Sequence, residues 1–209
     1  MLYALIDLPT STRVGDVGPL PVTLRGLAAE SVADLAWTGG GYDPAWVGHG
    51  FWPVVDAFAT LESWQKHASS PSYVVDAGAK TVRAVYAAEA KPLAEVKAAR
   101  LAALATYRYG RETGGVVVSG MSVSTDDRSK MLISGAYAAA KNNVREVFQF
   151  KGGAGFATLS KEQIAAVAEA VFTHVQDCYA NEAAHAAAIE ALATAAAVGT
   201  YDFTTGWPE

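Results

Sequence analysis

The hydrophobic positions change their spacing near residue 90. Before it, "LYALID" and "LPVTL" are short apolar runs bounded by Pro, Gly and Asp, which read as strands. "SYVVDAGAKTVRAVYA" reads as a hairpin, two β-prone runs around Asp76 to Lys80. "GLAAESVADLAW" sets Leu27, Val32, Leu35 and Ala36 at rough helical spacing, the mark of a short helix. Between that helix and the hairpin, "TGGGYDPAWVGHGFWPVV" reads as a glycine-rich loop carrying aromatic residues.

From residue 91 the period becomes helical. Pro92 suits a first helical position, where its missing N–H costs nothing. Leu93, Val96, Arg100, Leu104 and Tyr107 follow at spacings of three and four, and Gly114–Gly115 stop the helix with the positive φ that glycine tolerates. A second helix is expected from Asp126 through "KMLISGAYAAAKNN". A third opens at Ser160, where Ser160 and Gln163 form a capping box. Ile164, Val167, Val171, Val175 and Cys178 then line one face, and a break near Asn181 or after Val198 closes the helical part.

The segments between the helices read as hairpins. "VVVSGMSV" turns at Ser119–Gly120, and "VFQFKGGAGFATLS" turns at Gly152, Gly153 and Gly155. Neither is a nucleotide cradle: no G-x-x-x-x-G-K-[ST] is present, and Gly114–Gly115 lie between a helix and a strand rather than the reverse. The adjacent Asp126 and Asp127 read as helix-start residues rather than as a catalytic dyad. The two hairpins are expected to pair into one small antiparallel sheet. The fold class is therefore α+β, with a β-rich N-terminal domain over residues 1–90. A mainly helical C-terminal domain with two short β-hairpins and an extended tail follows over 91–209.

Composition narrows the functions open to such a chain. At 209 residues with 51% hydrophobic content it buries a substantial core. Net charge of −5 and scattered basic residues argue against nucleic acid. Lys91, Lys97, Arg100, Arg108 and Arg111 come nearest to a stripe and read as a solvated helix face. The single cysteine, Cys178, forms no disulfide within the chain. No run of about 18 apolar residues predicts membrane insertion. "MLYALIDLPT" lacks the features of a signal peptide, so synthesis and folding in a cytoplasm are expected.

Candidate chemistry is sparse. His174, Cys178 and His185 share a face if one helix holds all three, but a structural zinc site takes four close ligands. Cys178 reads instead as a small core residue continuing the Ile164–Val175 stripe. No serine-nucleophile motif is present, and no catalytic residue, metal or cofactor is expected. Two aromatic clusters stand out: Tyr42, Trp46, Phe51 and Trp52 on the loop, and Tyr201, Phe203 and Trp207 on the tail. Such residues either complete a core or anchor an interface. The expectation is that at least one cluster, the tail foremost, meets another chain.

Residues 91–209 carry a longer resemblance. "KPLAEVKAARLAALATYRYGRETGGVVVSGMSVSTDDRSKMLISGA", "FQFKGGAGFATLSKEQIAAVAEAVFTHVQ" and the closing "TTGWP" are similar to an uncharacterised domain of tailed-bacteriophage tail and tail-fibre proteins. "GFWPVV" followed by "SYVVDAGAKTVRAVYAAEAKPL" resembles the segment that often precedes it. The resemblance implies a structural role in a tail, baseplate or fibre attachment, with tail or fibre proteins as partners in a homo-oligomeric or ring-symmetric assembly. It also implies residence in the virion after synthesis in the host bacterium. A tail-fibre assembly chaperone is the alternative, and an enzyme of unidentified chemistry the second.

Overall fold

The computed structural model describes residues 1–152 and 155–208, a mixture of helix and strand that divides into two compact units, Met1–Ala90 and Lys91–Glu209. In the first unit, β1 (Tyr3–Asp7), β2 (Thr12–Gly18), β3 (His49–Phe58), β5 (Ser72–Asp76) and β6 (Thr81–Tyr86) form one sheet in the order β2-β1-β3-β6-β5. Only the β3–β6 pair is parallel. A separate ribbon joins β4 (Gln65–His67) to β7 (Ala88–Ala90).

Alternation along β1 sends Ala4 and Ile6 to one face and Tyr3 and Leu5 to the other. Both faces are covered. Ala4 and Ile6 pack with Trp52 and Val82, while Leu5 meets Phe51 over Leu24, Val32 and Leu35. The short helix α1 (Ala29–Ala33) lies directly on β3. A Cβ on Gly50 would stand 2.0 Å from the Ala33 carbonyl oxygen, so that crossing requires glycine.

The sequence expectations need correction at two places in this unit. "LPVTL" is a 3₁₀ turn over Val22–Leu24 rather than a strand, because Pro19 and Pro21 lack the N–H groups a ladder needs. The second half of the expected aromatic loop is the ten-residue strand β3 at the centre of the sheet. Its internal proline is tolerated because β3 changes partner there. Residues 49–53 pair with β1, and residues 54–58 pair with β6.

The second unit alternates helix and hairpin: α2 (Leu93–Glu112), β8 (Val116–Val118), β9 (Met121–Val123), α3 (Asp127–Lys141), β10 (Val147–Gly152), β11 (Gly155–Ser160), α4 (Lys161–Ala191) and α5 (Ala195–Thr200). Ser119 and Gly120 both have positive φ, the twist that a two-residue hairpin turn demands. Val116 and Val118 turn inward and Val117 outward. Asp126 caps α3, accepting from the Ser129 amide at 3.0 Å, and Ser160 and Gln163 make the capping box of α4. The inner faces of both hairpins, with Ile133 of α3, close on Ile164, Val167 and Val171 of α4.

Four details differ from expectation here. Pro92 is the residue before α2 rather than its first, and of the two glycines after α2 only Gly115 has positive φ. The hairpins remain two separate ribbons, because their inward side chains are spent on α4 and the backbone of Gly152 only abuts β9. α4 runs through Asn181 without a break and stops at Leu192, where the backbone becomes extended. The turn expected at Gly153 lies outside the described residues.

Candidate functional site: the α3–α4 groove and its ion-pair cluster

Arg108 and Glu112 stand four residues apart on α2, so their side chains meet on one helix face. Glu112 is buried and also pairs with Lys130 in the first turn of α3. Arg108 reaches across to Glu182 of α4 at 3.1 Å. Lys130 adds Asp127 at 2.9 Å, and the Tyr109 hydroxyl donates to the other oxygen of Asp127 at 3.0 Å. The cluster thus ties α2, α3 and α4 together.

Its electrostatics follow from these pairs. Burial presses the Lys130 ammonium toward neutrality, but hydrogen bonds to Glu112 and Asp127 outweigh it and hold its pKa above the ordinary lysine value. Arg108 is raised in the same way, burial being outweighed by Glu112 and Glu182. Asp127 is held below the usual carboxylate range by Lys130 and then Tyr109. Nearby, burial and then the Glu112 charge push the Cys178 thiol up, so it is a poor nucleophile. His174 shares this interior, its Nε2 3.1 Å from the Arg111 carbonyl oxygen and 3.9 Å from the Cys178 sulfur.

Lys130 also forms one end of a groove of about 740 Å³ between α3 and α4. Its walls are apolar, built from Ile133 and Tyr137 of α3 and from Ala168, Val171 and Val175 of α4. Phe172 lines it too, yet is 66% exposed, and Glu169 supplies the opposite charge. An apolar channel with one charge of each sign suits packing against a protein surface more than proton transfer.

The aromatic candidates separate sharply. Tyr42 remains half exposed, edge-on to Trp37, and Trp46 leans partly buried on Phe51. Phe51 and Trp52 are core residues of β3, facing opposite sides of the sheet. The tail cluster is closed as well. Phe203 and Trp207 are 8% and 9% exposed. The Trp207 ring stacks on His185 and meets Tyr107 edge-on. The Tyr201 hydroxyl lies 2.8 Å from His185 Nδ1. The tail thus packs its aromatic rings onto α2 and α4 of its own chain.

The expected solvated basic stripe on α2 supplies the reason. Arg100 donates to the Tyr201 carbonyl and covers the Phe203 ring at 4.5 Å, while Arg111 donates to the Pro208 carbonyl. These arginines satisfy the carbonyls of an irregular tail that has no ladder of its own. His174 and His185 do share α4, but at about 1.5 Å per residue their spacing of eleven separates them by roughly 16 Å. Among the described residues no group of three or more His, Cys, Asp or Glu is arranged to hold a metal, and no helix is long and apolar enough to cross a membrane.

A family model described as a domain of unknown function, DUF4376, matches residues 95–205, more than half of the chain. The chain belongs to this family. No curated protein and no solved structure matches it. The DUF4376 span takes in the groove, the ion-pair cluster and most of the tail. The i, i+4 spacing of Arg108 and Glu112 was visible in sequence. Lys130 and Glu182, which complete the cluster, lie too far away in the chain to be assigned by spacing.

Proposed function

We propose that this protein is a structural subunit of a bacteriophage tail, in the tail, baseplate or tail-fibre attachment, acting through protein–protein contacts. The layout behind the proposal is a β-rich domain over 1–90 and a mainly helical domain with two hairpins over 91–209. The supporting observation is that the region resembling phage tail proteins presents apolar side chains to solvent at the α3–α4 groove, where Phe172 is 66% and Tyr137 40% exposed. Large exposed apolar residues grouped on one surface mark sites that other proteins cover. In this reading the partners are tail or fibre proteins in a homo-oligomeric or ring-symmetric assembly, and no catalytic step is assigned to the chain. The product is made in the host cytoplasm and carried in the virion.

The test is immunogold electron microscopy of purified particles, with quantitative mass spectrometry of the same preparation. Labelling at one place on the tail, at a fixed copy number per particle, is expected. A protein abundant in infected cells but absent from finished particles would overturn this reading in favour of an assembly chaperone.

A further inference from the structure

Five positions of α3 repeat at spacings of four, three, four and three: Asp127, Met131, Ser134, Ala138 and Lys141. That spacing keeps them on one helix face, the pattern by which paired helices meet along a seam. All five are exposed, Met131 to 72%. Between Lys130 and Lys141 the helix carries no charged residue on any side, although only Ile133 and Ala140 there are fully buried. A surface helix ordinarily turns a charged face to water. This one turns an uncharged seam with a charge of opposite sign at each end.

We infer that the seam is a self-association face, on which a second copy of this chain lays its own α3 antiparallel about a two-fold axis at Ser134. The pattern is self-complementary only in that arrangement. Asp127 and Lys141 are equally far from Ser134, so the axis brings each Asp127 to the other copy's Lys141, twice. A parallel pairing would set like charge on like. The helix dipoles also cancel when antiparallel, and among the described residues Lys141 has no ion pair to give up. Met131 then meets Ala138, a large side chain against a small one, and the small Ser134 lets the backbones approach at the axis. A fifteen-residue helix spans only about 22 Å and covers less than a standard interface. Tyr137 and Phe172, beside the seam on the groove, widen the contact. The inference rests on this surface alone and does not depend on a tail function.

Two measurements on the full chain test it. Analytical ultracentrifugation at about 100 μM, well above the micromolar range of a modest interface, is expected to show a dimer. Ala138→Arg and Met131→Glu should each return it to monomer with an unchanged circular dichroism spectrum, and Lys141→Glu should weaken dimerisation several-fold. Under mild oxidation Ser134→Cys should form a disulfide-linked dimer, since the axis places the residue against itself. Val144→Cys, exposed but off the seam, should not, and the buried Cys178 takes no part. A wild-type monomer at that concentration, a dimer untouched by Ala138→Arg and Met131→Glu, or equal cross-linking at 134 and 144 would each overturn the proposal.

Discussion

The C-terminal tail and helix α3 exchange the roles their compositions suggest. The tail concentrates Tyr201, Phe203 and Trp207 in a stretch without regular structure, yet it is folded shut against α2 and α4. α3 is built largely from Ala, Gly and Ser, yet it presents the exposed Met131, Leu132 and Tyr137. The difference lies in what stands opposite each. The tail finds arginines for its carbonyls and a histidine and tyrosine for its rings, all from its own chain. The outer face of α3 finds solvent. Aromatic content thus marks how much surface a segment must cover, and the neighbouring elements decide who covers it.

The comparison breaks most visibly by removing the tail. Truncation after Val198 should strip the cover from Tyr107 and His185 and abolish cooperative unfolding of the second unit, read by thermal melting followed by circular dichroism. Trp207→Ala alone should cost roughly 3–5 kcal/mol in chemical denaturation, the usual loss for a large buried aromatic. A truncated chain that melts like the full one would show that the tail is an accessory and not part of the core.

Next in size is Glu112, the buried anion that ties α2 to α3. Glu112→Ala leaves Arg108 with Glu182 alone and Lys130 with Asp127 alone and should cost about 3 kcal/mol, toward the low end for a broken buried pair because each cation keeps a second partner and some solvent. Urea unfolding curves supply the number. A change below the error of the curves would mean that water already does the work of the carboxylate.

The same cluster sets a pH profile of smaller amplitude. Asp127 is held below its ordinary pKa, so its contribution is present above about pH 4 and disappears as pH falls through its lower folded value. Lys130 is held above its ordinary pKa, so its contribution is present at neutral pH and is lost as pH rises through that raised value. Melting temperature against pH should therefore plateau through neutrality and fall on both sides. Asp127→Asn should flatten the acid limb and leave the alkaline one in place.

The smallest effect belongs to α3. Met131→Ser should change the stability of the monomer by less than about 0.5 kcal/mol, since the side chain touches little of its own chain. Measured in dilute solution, a loss comparable to that of Trp207→Ala would show that Met131 belongs to the core after all and would erase the contrast.

Local chemistry was legible in the sequence. The caps at Asp126 and Ser160, the turn at Ser119–Gly120, the hairpin around Asp76–Lys80 and the core stripe Ile164, Val167 and Val171 all follow from interactions within a few residues. Neighbours in the chain are enough to specify them. What remained hidden depends on residues far apart. β3 looked like a loop because Pro53 is tolerable only where one partner strand gives way to another, which the strand itself does not encode. The basic stripe of α2 looked solvated because the carbonyls of Tyr201 and Pro208 that it serves lie about a hundred positions downstream. Lys130 and Glu182 joined Arg108 and Glu112 only through the packing of three helices. Sequence alone determined which segments are helix or hairpin in the second unit and where most of them start. Tertiary structure alone decided which faces are covered, because burial depends on what packs opposite and not on the residue itself.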